Sequence, residues 1–280
     1  MKNLLLTVAL TLLMFPVFSQ QRAGKPMNVM SYNIRYNNPG DGVNAWPNRQ
    51  DWVKDLVEFY DTDILCLQEA LKEQVDYLVK DSRFELEGVG RDDGKTKGEY
   101  TAILYDKNRF QKKQSGTFWL SETPEKPSKG WDAQIIRICT WVRLFDGTSK
   151  KDFYVFNTHY DHMGVKAREK SSELIKLKIQ QIAGKLPVVL TGDLNTSPET
   201  QPITVLKTFL KDTKEVSKAK PYGPEGTFNA FKFDAELKER IDYIFVNDKV
   251  EVLKFAVLSD SKEQRYPSDH LPVFVKVSLK

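Results

Sequence analysis

The run from Leu186 to Asn195, Leu-Pro-Val-Val-Leu-Thr-Gly-Asp-Leu-Asn, constrains the fold more than any other stretch. Val188, Val189 and Leu190 form a continuous apolar segment of the kind that makes a fully buried strand. The run then reaches Thr191-Gly192, and two oxygen-bearing side chains follow at alternate positions, Asp193 and Asn195. Residues two apart in an extended chain point to the same side. The strand is therefore expected to deliver a carboxylate and a carboxamide to one spot. Hard divalent cations and phosphate chemistry both use such groups. Taken alone, Gly-Asp-Leu-Asn fits an ordinary turn equally well.

The rest of the chain repeats the arrangement. Asn28–Ile34 and Ile64–Leu67 read as further apolar strands. A helix from about Asn48 is expected between them, with Trp52, Val53, Leu56, Val57 and Tyr60 at helical spacing. A second helix is expected over 73–80. Phe84–Val89, Tyr100–Tyr105, Phe110–Leu120, Ile135–Phe145 and Phe153–Thr158 all look like strands. The Gly90–Gly98 and Ser121–Gly130 segments read as loops. A helix over Val165–Ala183 precedes the opening strand, and a short one over Pro202–Leu210 follows it. Arg240–Val246, Val250–Leu258 and Val273–Ser278 complete the strands. Helices interspersed among sequential strands predict an α/β sandwich with mixed, largely antiparallel sheets. No Gly-x-Gly-x-x-Gly follows the first strand, which argues against a dinucleotide-binding fold.

Residues 1–19 read as a signal peptide: Lys2 as the charged start, Leu4–Phe18 as the apolar region, and Val17-Phe18-Ser19 as a cleavage site before Gln20. Export to the periplasm or the medium is expected, with no stable membrane insertion afterwards. Residues 20–280 fit a single domain, expected to be a monomer. Removing the signal takes the formal charge from +4 to +3, because Lys2 is its only ionisable side chain. That balance accommodates a phosphate-bearing substrate without demanding nucleic acid. Cys66 and Cys139 lie on separate expected strands and read as two buried thiols rather than a bridge.

The chemistry-bearing residues share one placement, at or near strand ends. They are Asn33, Glu69, His159, Asp193 with Asn195, Asp242 inside Arg-Ile-Asp-Tyr-Ile-Phe, and Asp269-His270 before the last strand. Loops over a rigid sheet commonly hold ligands. All three histidines, His159, His162 and His270, fall in these short motifs. Each residue taken singly has a structural alternative. Glu69 fits a helix cap, Asp242 an ion pair with Arg240, and His270 a turn, while His162 reads best as simply solvated.

As an ordered set, Asn33, Gln68-Glu69, Asn157-Thr158-His159, Gly192-Asp193-Leu194-Asn195, Arg240-Ile241-Asp242-Tyr243 and Ser268-Asp269-His270 resemble the endonuclease/exonuclease/phosphatase superfamily. That group includes deoxyribonuclease I, exonuclease III, neutral sphingomyelinase, inositol polyphosphate 5-phosphatases and deadenylase-type enzymes. The resemblance runs from about Met27 to the C-terminus. It implies a four-layer α/β sandwich, two packed mixed and mainly antiparallel sheets flanked by helices. It also implies a Mg²⁺- or Mn²⁺-dependent phosphoesterase that attacks with activated water. In that reading Glu69 is the principal metal ligand, Asn33 touches metal or phosphate, and Asp269 holds a second metal. Asp193 orients or deprotonates the water, and Asn195 and His159 bind phosphate. His270 shares the acid/base work and is oriented by Asp242. Glu99 aligns with the carboxylate that, in deoxyribonuclease I, pairs with the histidine matching His159, with a plain surface glutamate as the alternative.

The substrate is less legible. Thr117–Pro124 with Gly130-Trp131-Asp132 and Arg137 resembles an exported branch of poorly defined substrate. Trp119, Trp131 and Phe228 are candidates for lining a substrate pocket, with core or loop-anchoring roles as the alternative. Lysines and arginines are interspersed with acids, which argues against a large duplex-DNA footprint. A phosphodiester is the first expectation. A sugar, polyol or lipid phosphate and a non-catalytic phospholigand binder are the alternatives.

Overall fold

The computed structural model describes residues 25–280. The expected signal segment 1–19 lies outside the described residues. In chain order come β1 (Met27–Asn33), α1 (Gln50–Phe59), β2 (Ile64–Gln68), α2 (Lys72–Val79), β3 (Phe84–Glu87) and β4 (Ile103–Asp106). Three long strands follow, β5 (Phe110–Trp119), β6 (Ile138–Asp146) and β7 (Lys151–His159). Then come α3 (Val165–Ala183), β8 (Val188–Asp193), α4 (Gln201–Lys207), β9 (Lys211–Asp212) and α5 (Thr213–Val216). The chain closes with β10 (Asp242–Val246), β11 (Val250–Val257) and β12 (Val273–Leu279).

The strands form two six-stranded sheets, ordered β11-β12-β1-β2-β4-β3 and β5-β6-β7-β8-β10-β9. Each sheet has one parallel pair, β1 with β2 and β7 with β8, and its other pairings are antiparallel. A parallel pair brings two C-terminal strand ends side by side. Asn33 thus lies opposite Gln68, and His159 opposite Asp193. Antiparallel β10 adds Asp242 opposite Asp193.

The period-2 alternation of side chains explains the layers. Met27 and Val29 of β1, Ile64 and Cys66 of β2, Phe153 and Val155 of β7, and Val189 of β8 pack between the sheets. Their neighbours Met30, Tyr32, Leu65 and Leu67 pack outward with Val53, Leu56, Val57, Val75 and Leu78 of α1 and α2. Tyr154, Phe156, Val188 and Leu190 pack outward with Ile175 and Ile179 of α3 and Ile203 and Leu206 of α4. The result is the expected four-layer sandwich. The inward-facing register continues to the strand ends, where the apolar residues give way to Ser31, Asn33, Gln68, Asn157, His159, Thr191 and Asp193, all buried.

A polar tie joins the sheets just below those ends. The Asn157 amide donates to the carbonyls of Leu67 (2.8 Å) and Ala102 (2.9 Å) in the facing sheet. Its oxygen accepts from Gln68 Nε2 at 2.7 Å and Thr191 Oγ1 at 3.1 Å. Buried amides need such partners, and here they fix how one sheet sits on the other.

Cys66 and Cys139 are free and buried, the first between the sheets and the second under α3. Several local expectations change: β3 stops at Glu87, β6 starts at Ile138 and β10 at Asp242, so Ile135, Arg137 and Arg240 lie outside the strands expected to hold them. Tyr100–Thr101 are not in a ladder; Tyr100 makes a lone bridge to Ala70, and the strand begins at Ile103. Asn195 lies beyond the end of β8 in a left-handed conformation (φ 46°).

Candidate active site

Three strand ends from two sheets meet through one side chain. Asn33 Nδ2 donates to Glu69 Oε1 at 3.1 Å and to Asp193 Oδ2 at 3.0 Å, and it lies 3.4 Å from His270 Nε2. Its oxygen accepts from the Arg35 N–H at 3.0 Å. Glu69 reaches this point because its backbone turns left-handed (φ 62°) directly after β2. Left-handed backbone in a non-glycine residue carries strain and collects at functional sites. The other Glu69 oxygen accepts from Tyr36 N–H at 3.2 Å, so Glu69 caps no helix, and α2 begins beyond Leu71.

Asp193 and Asn195 come together differently from the pleat argument. The strand ends at Asp193, Leu194 turns into the core, and the Asn195 N–H donates to Asp193 Oδ1 at 2.9 Å. This local side-chain-to-backbone turn, not strand alternation, aims Asn195. Its Nδ2 donates to the Tyr160 carbonyl (3.1 Å) and stands 3.1 Å from His159 Nε2.

Asp242, His270 and Asp193 form a line of buried titratable groups. His270 Nδ1 is 2.9 Å from Asp242 Oδ2, and His270 Nε2 is 3.8 Å from Asp193 Oδ2. A carboxylate on Nδ1 places the proton there and turns Nε2 to the cleft. Burial works against a charged His270, but Asp242 and Asp193 outweigh it, and the imidazole is held well above its usual range. Burial, followed by the Asp242 charge, pushes the Asp193 carboxyl up to about 7. Arg240 does not pair with Asp242; its guanidinium donates to Asp212 at 2.7 Å. Phe228 packs edge-on against His270, with ring centres 5.0 Å apart, and bridges it through the backbone.

His159 stands on the other side of Asp193, with Nε2 3.4 Å from Asp193 Oδ2. Burial, then the charges of Arg137 and Arg91, hold it well below the usual imidazole range. Glu99 lies 4.0 Å from His159 Nδ1, but its close partner is Arg91 at 2.6 Å. The expected His159–Glu99 pair is therefore an adjacency, with Arg91 taking the carboxylate. Burial raises the Glu99 carboxyl against the pull of that arginine.

These side chains line one cleft of about 660 Å³. Glu69, Glu99, His159, Asp193, Asn195, Phe228, Asp269 and His270 all face it. So do Arg137 and His162, and also Arg35 and Tyr36, which lie in none of the sequence motifs. Asn33 and Asp242 lie beneath, bonded to its lining. Trp119 and Trp131 are not among the lining residues. The Trp119 indole donates to the Arg91 carbonyl at 2.7 Å, so the ring anchors a loop. Trp131 is tied through its backbone to Glu122 (3.1 Å).

The donor set fits a hard cation near Glu69. Glu69 and Asp269 are carboxylates in the same part of the cleft, and the Asp269 carboxyl is pushed up by burial and by the Glu69 charge, against the pull of His270. A divalent ion relieves such crowding, and no thiolate is present to favour a soft metal. Ligand atoms of Asp193, Asp242 and His270 also lie within 4.8 Å of one another. That trio is already consumed by the Asp242–His270 hydrogen bond, which an ion there would break, so it suits proton handling better.

Known proteins share this fold. A crystal structure of an endonuclease/exonuclease/phosphatase family protein from Bacteroides thetaiotaomicron superposes with a TM-score of 0.87 at 37% identity, covering 92% of this chain and 99% of that one. A mannosyl-6-phosphatase of the same organism gives 0.84 at 38% identity, covering 90% and 99%. An uncharacterised protein of Acanthamoeba polyphaga mimivirus is 30% identical over 190 residues, 61% of this chain and 67% of its own length. The model of the Endonuclease/Exonuclease/phosphatase family matches residues 30–270, and the chain belongs to that family.

Proposed function

We propose that this protein is a divalent-metal-dependent phosphoesterase that hydrolyses a phosphate monoester of a small polyol or sugar. The observation that carries the hydrolytic reading is the Asp193 carboxylate, buried and set among Asn33, His159 and His270. A carboxyl poised near neutrality matches a general base. Its Oδ2 takes a proton from water as the water oxygen bonds to phosphorus and the ester P–O bond breaks. The departing oxygen takes a proton from solvent. Charged His270 donates from Nε2 to a non-bridging phosphoryl oxygen, and Asn195 and neutral His159 hold the same group in line. A cation held by Glu69, with Asp269 and Asn33 beside it, supplies charge neutralisation; Mg²⁺ or Mn²⁺ suits the oxygen donors.

The monoester reading is supported by the 38% identical mannosyl-6-phosphatase. Export through residues 1–19 belongs to the same proposal: protein recovered from the periplasm or medium should begin at Gln20.

The test is turnover of p-nitrophenyl phosphate, bis-p-nitrophenyl phosphate and hexose 6-phosphates with Mg²⁺, Mn²⁺ or a chelator. Metal-dependent release of phosphate from the monoesters is expected, faster than cleavage of the diester. Faster diester cleavage reverses the substrate class. Turnover that persists in chelator removes the metal from the reading.

A further inference from the structure

One wall of the cleft has no part in the chemistry just described. It is built from Ile135 and Arg137 in the segment before β6, His162 just after β7, and Glu99 beside the Ala70–Tyr100 bridge. Arg137 is only 5% exposed, yet its Nε and Nη1 find no hydrogen-bond acceptor among the described residues. Its nearest polar neighbours are Glu99 Oε2, 3.8 Å from Nη1, and His162 Nδ1, 3.4 Å from Nη2. A buried guanidinium with unused donors carries a desolvation cost unless something else meets it.

The wall is held rigidly. The Asp161 carboxylate accepts four backbone N–H bonds. Gln134 (3.0 Å) and Ile135 (3.1 Å) lie on one side, Met163 (3.0 Å) and Gly164 (2.7 Å) on the other. One buried carboxylate thus clamps the segment that leads into Arg137 to the turn that carries His162. Such pre-organisation marks a binding surface more than a solvated loop.

We propose that Glu99, Arg137 and His162 form a specificity subsite that receives the hydroxyl groups of the leaving group. The inference rests on the phosphoesterase reading and deepens it by naming what is bound beside the phosphate. A guanidinium, a carboxylate and an imidazole together donate to and accept from neighbouring hydroxyls, and Ile135 supplies an apolar surface for ring carbons. A second phosphate fits less well, because the Glu99 carboxylate stands within 3.8 Å of the guanidinium that would bind it.

The experiment compares kcat/KM for mannose 6-phosphate and p-nitrophenyl phosphate in the wild type, His162→Ala and Arg137→Lys, with metal present. The ratio of the two substrates is expected to fall roughly tenfold or more in each variant, because hydroxyl recognition is lost while the phosphate is unchanged. His162 is exposed, so its variant keeps the test valid should Arg137→Lys fold poorly. Deoxy analogues of the hexose phosphate give the reciprocal reading. Removing a contacted hydroxyl lowers kcat/KM in the wild type and has little further effect in His162→Ala. Turnover of both esters with an unchanged ratio in both variants overturns the subsite and leaves the phosphoesterase reading standing. A protein inert toward both esters overturns that reading and the subsite with it.

Discussion

The two sheets meet at the cleft with the same inner pattern, apolar residues giving way to polar ones at strand ends, yet they supply different chemistry. The β1–β2 side contributes Asn33 and Glu69, with Asp269 beside them: oxygen and amide groups suited to a cation. The β7–β8–β10 side contributes His159, Asp193 and Asp242, suited to moving protons and binding phosphate. The neighbours Asp269 and His270 divide between the two, one perturbed by Glu69, the other bonded to Asp242. Asn33 bonds across the divide to Glu69 and Asp193, and Asn157 ties the sheets beneath. The lesson is that neither sheet holds a complete site, so the spacing between them is itself a functional quantity.

If that division is right, damage on the two sides should look different. The largest effect is expected on the proton side. Asp193→Asn or His270→Ala should lower kcat by roughly 10²–10⁴-fold, with little change in the metal concentration giving half-maximal rate. Retention of more than a tenth of wild-type kcat in both variants sinks the assigned roles. Glu69→Gln comes next: a loss on the order of 10²-fold at low metal, partly restored by excess Mg²⁺ or Mn²⁺. A titration in which added metal restores Asp193→Asn as well as Glu69→Gln erases the contrast.

Asn157→Ala tests the tie itself. It removes four buried hydrogen bonds, although the Ala102 carbonyl keeps the Leu67 N–H and the Gln68 amide keeps Ser31 Oγ, and a cost of about 1–3 kcal/mol in unfolding free energy is expected. Denaturant melts read this directly. A change below about 0.5 kcal/mol, the scale of an ordinary surface substitution, contradicts the tie.

The smallest effect is on stability against pH in chelator. The Asp193 carboxyl sits at about 7 when folded against an ordinary value of 3.8. The folded state therefore keeps a proton that the unfolded chain releases. This contribution is full below 3.8 and is lost as pH rises through about 7. His270, raised above its ordinary 6.5, acts in the same direction at higher pH. The metal-free melting temperature should thus fall between pH 5 and 8, and Asp193→Asn should flatten the slope. An identical slope in wild type and variant contradicts the assignment.

Much of this was legible in the chain. The run ending in Gly192-Asp193 predicted a buried strand, and β8 is one, buried throughout. The helix over Val165–Ala183 has the bounds its spacing predicts. Asn33, Glu69, His159, Asp193, Asn195, Asp242 and His270 lie at or near strand ends as expected, because strand-end position is a local property. The misses are of another kind. Arg137 stood in the exported-branch signature without a role, Trp119 read as a pocket aromatic, and the acceptor of Arg240 as its near neighbour Asp242. Each is settled by a partner distant in sequence: Glu99, the Arg91 carbonyl and Asp212.

The sequence by itself determined which side chains face inward, where apolar gives way to polar, and which residues end the strands. Tertiary structure alone decided how those ends meet: Asn33 reaching 160 positions along the chain to Asp193, and His270 reaching 28 back to Asp242. It also turned Asp193 and Asn195 from strand neighbours into a carboxylate and an amide aimed by a left-handed turn. The physical reason is that pleat and hydrophobic period are set by adjacent residues. Burial, charge and the choice of hydrogen-bond partner depend on what the facing sheet brings.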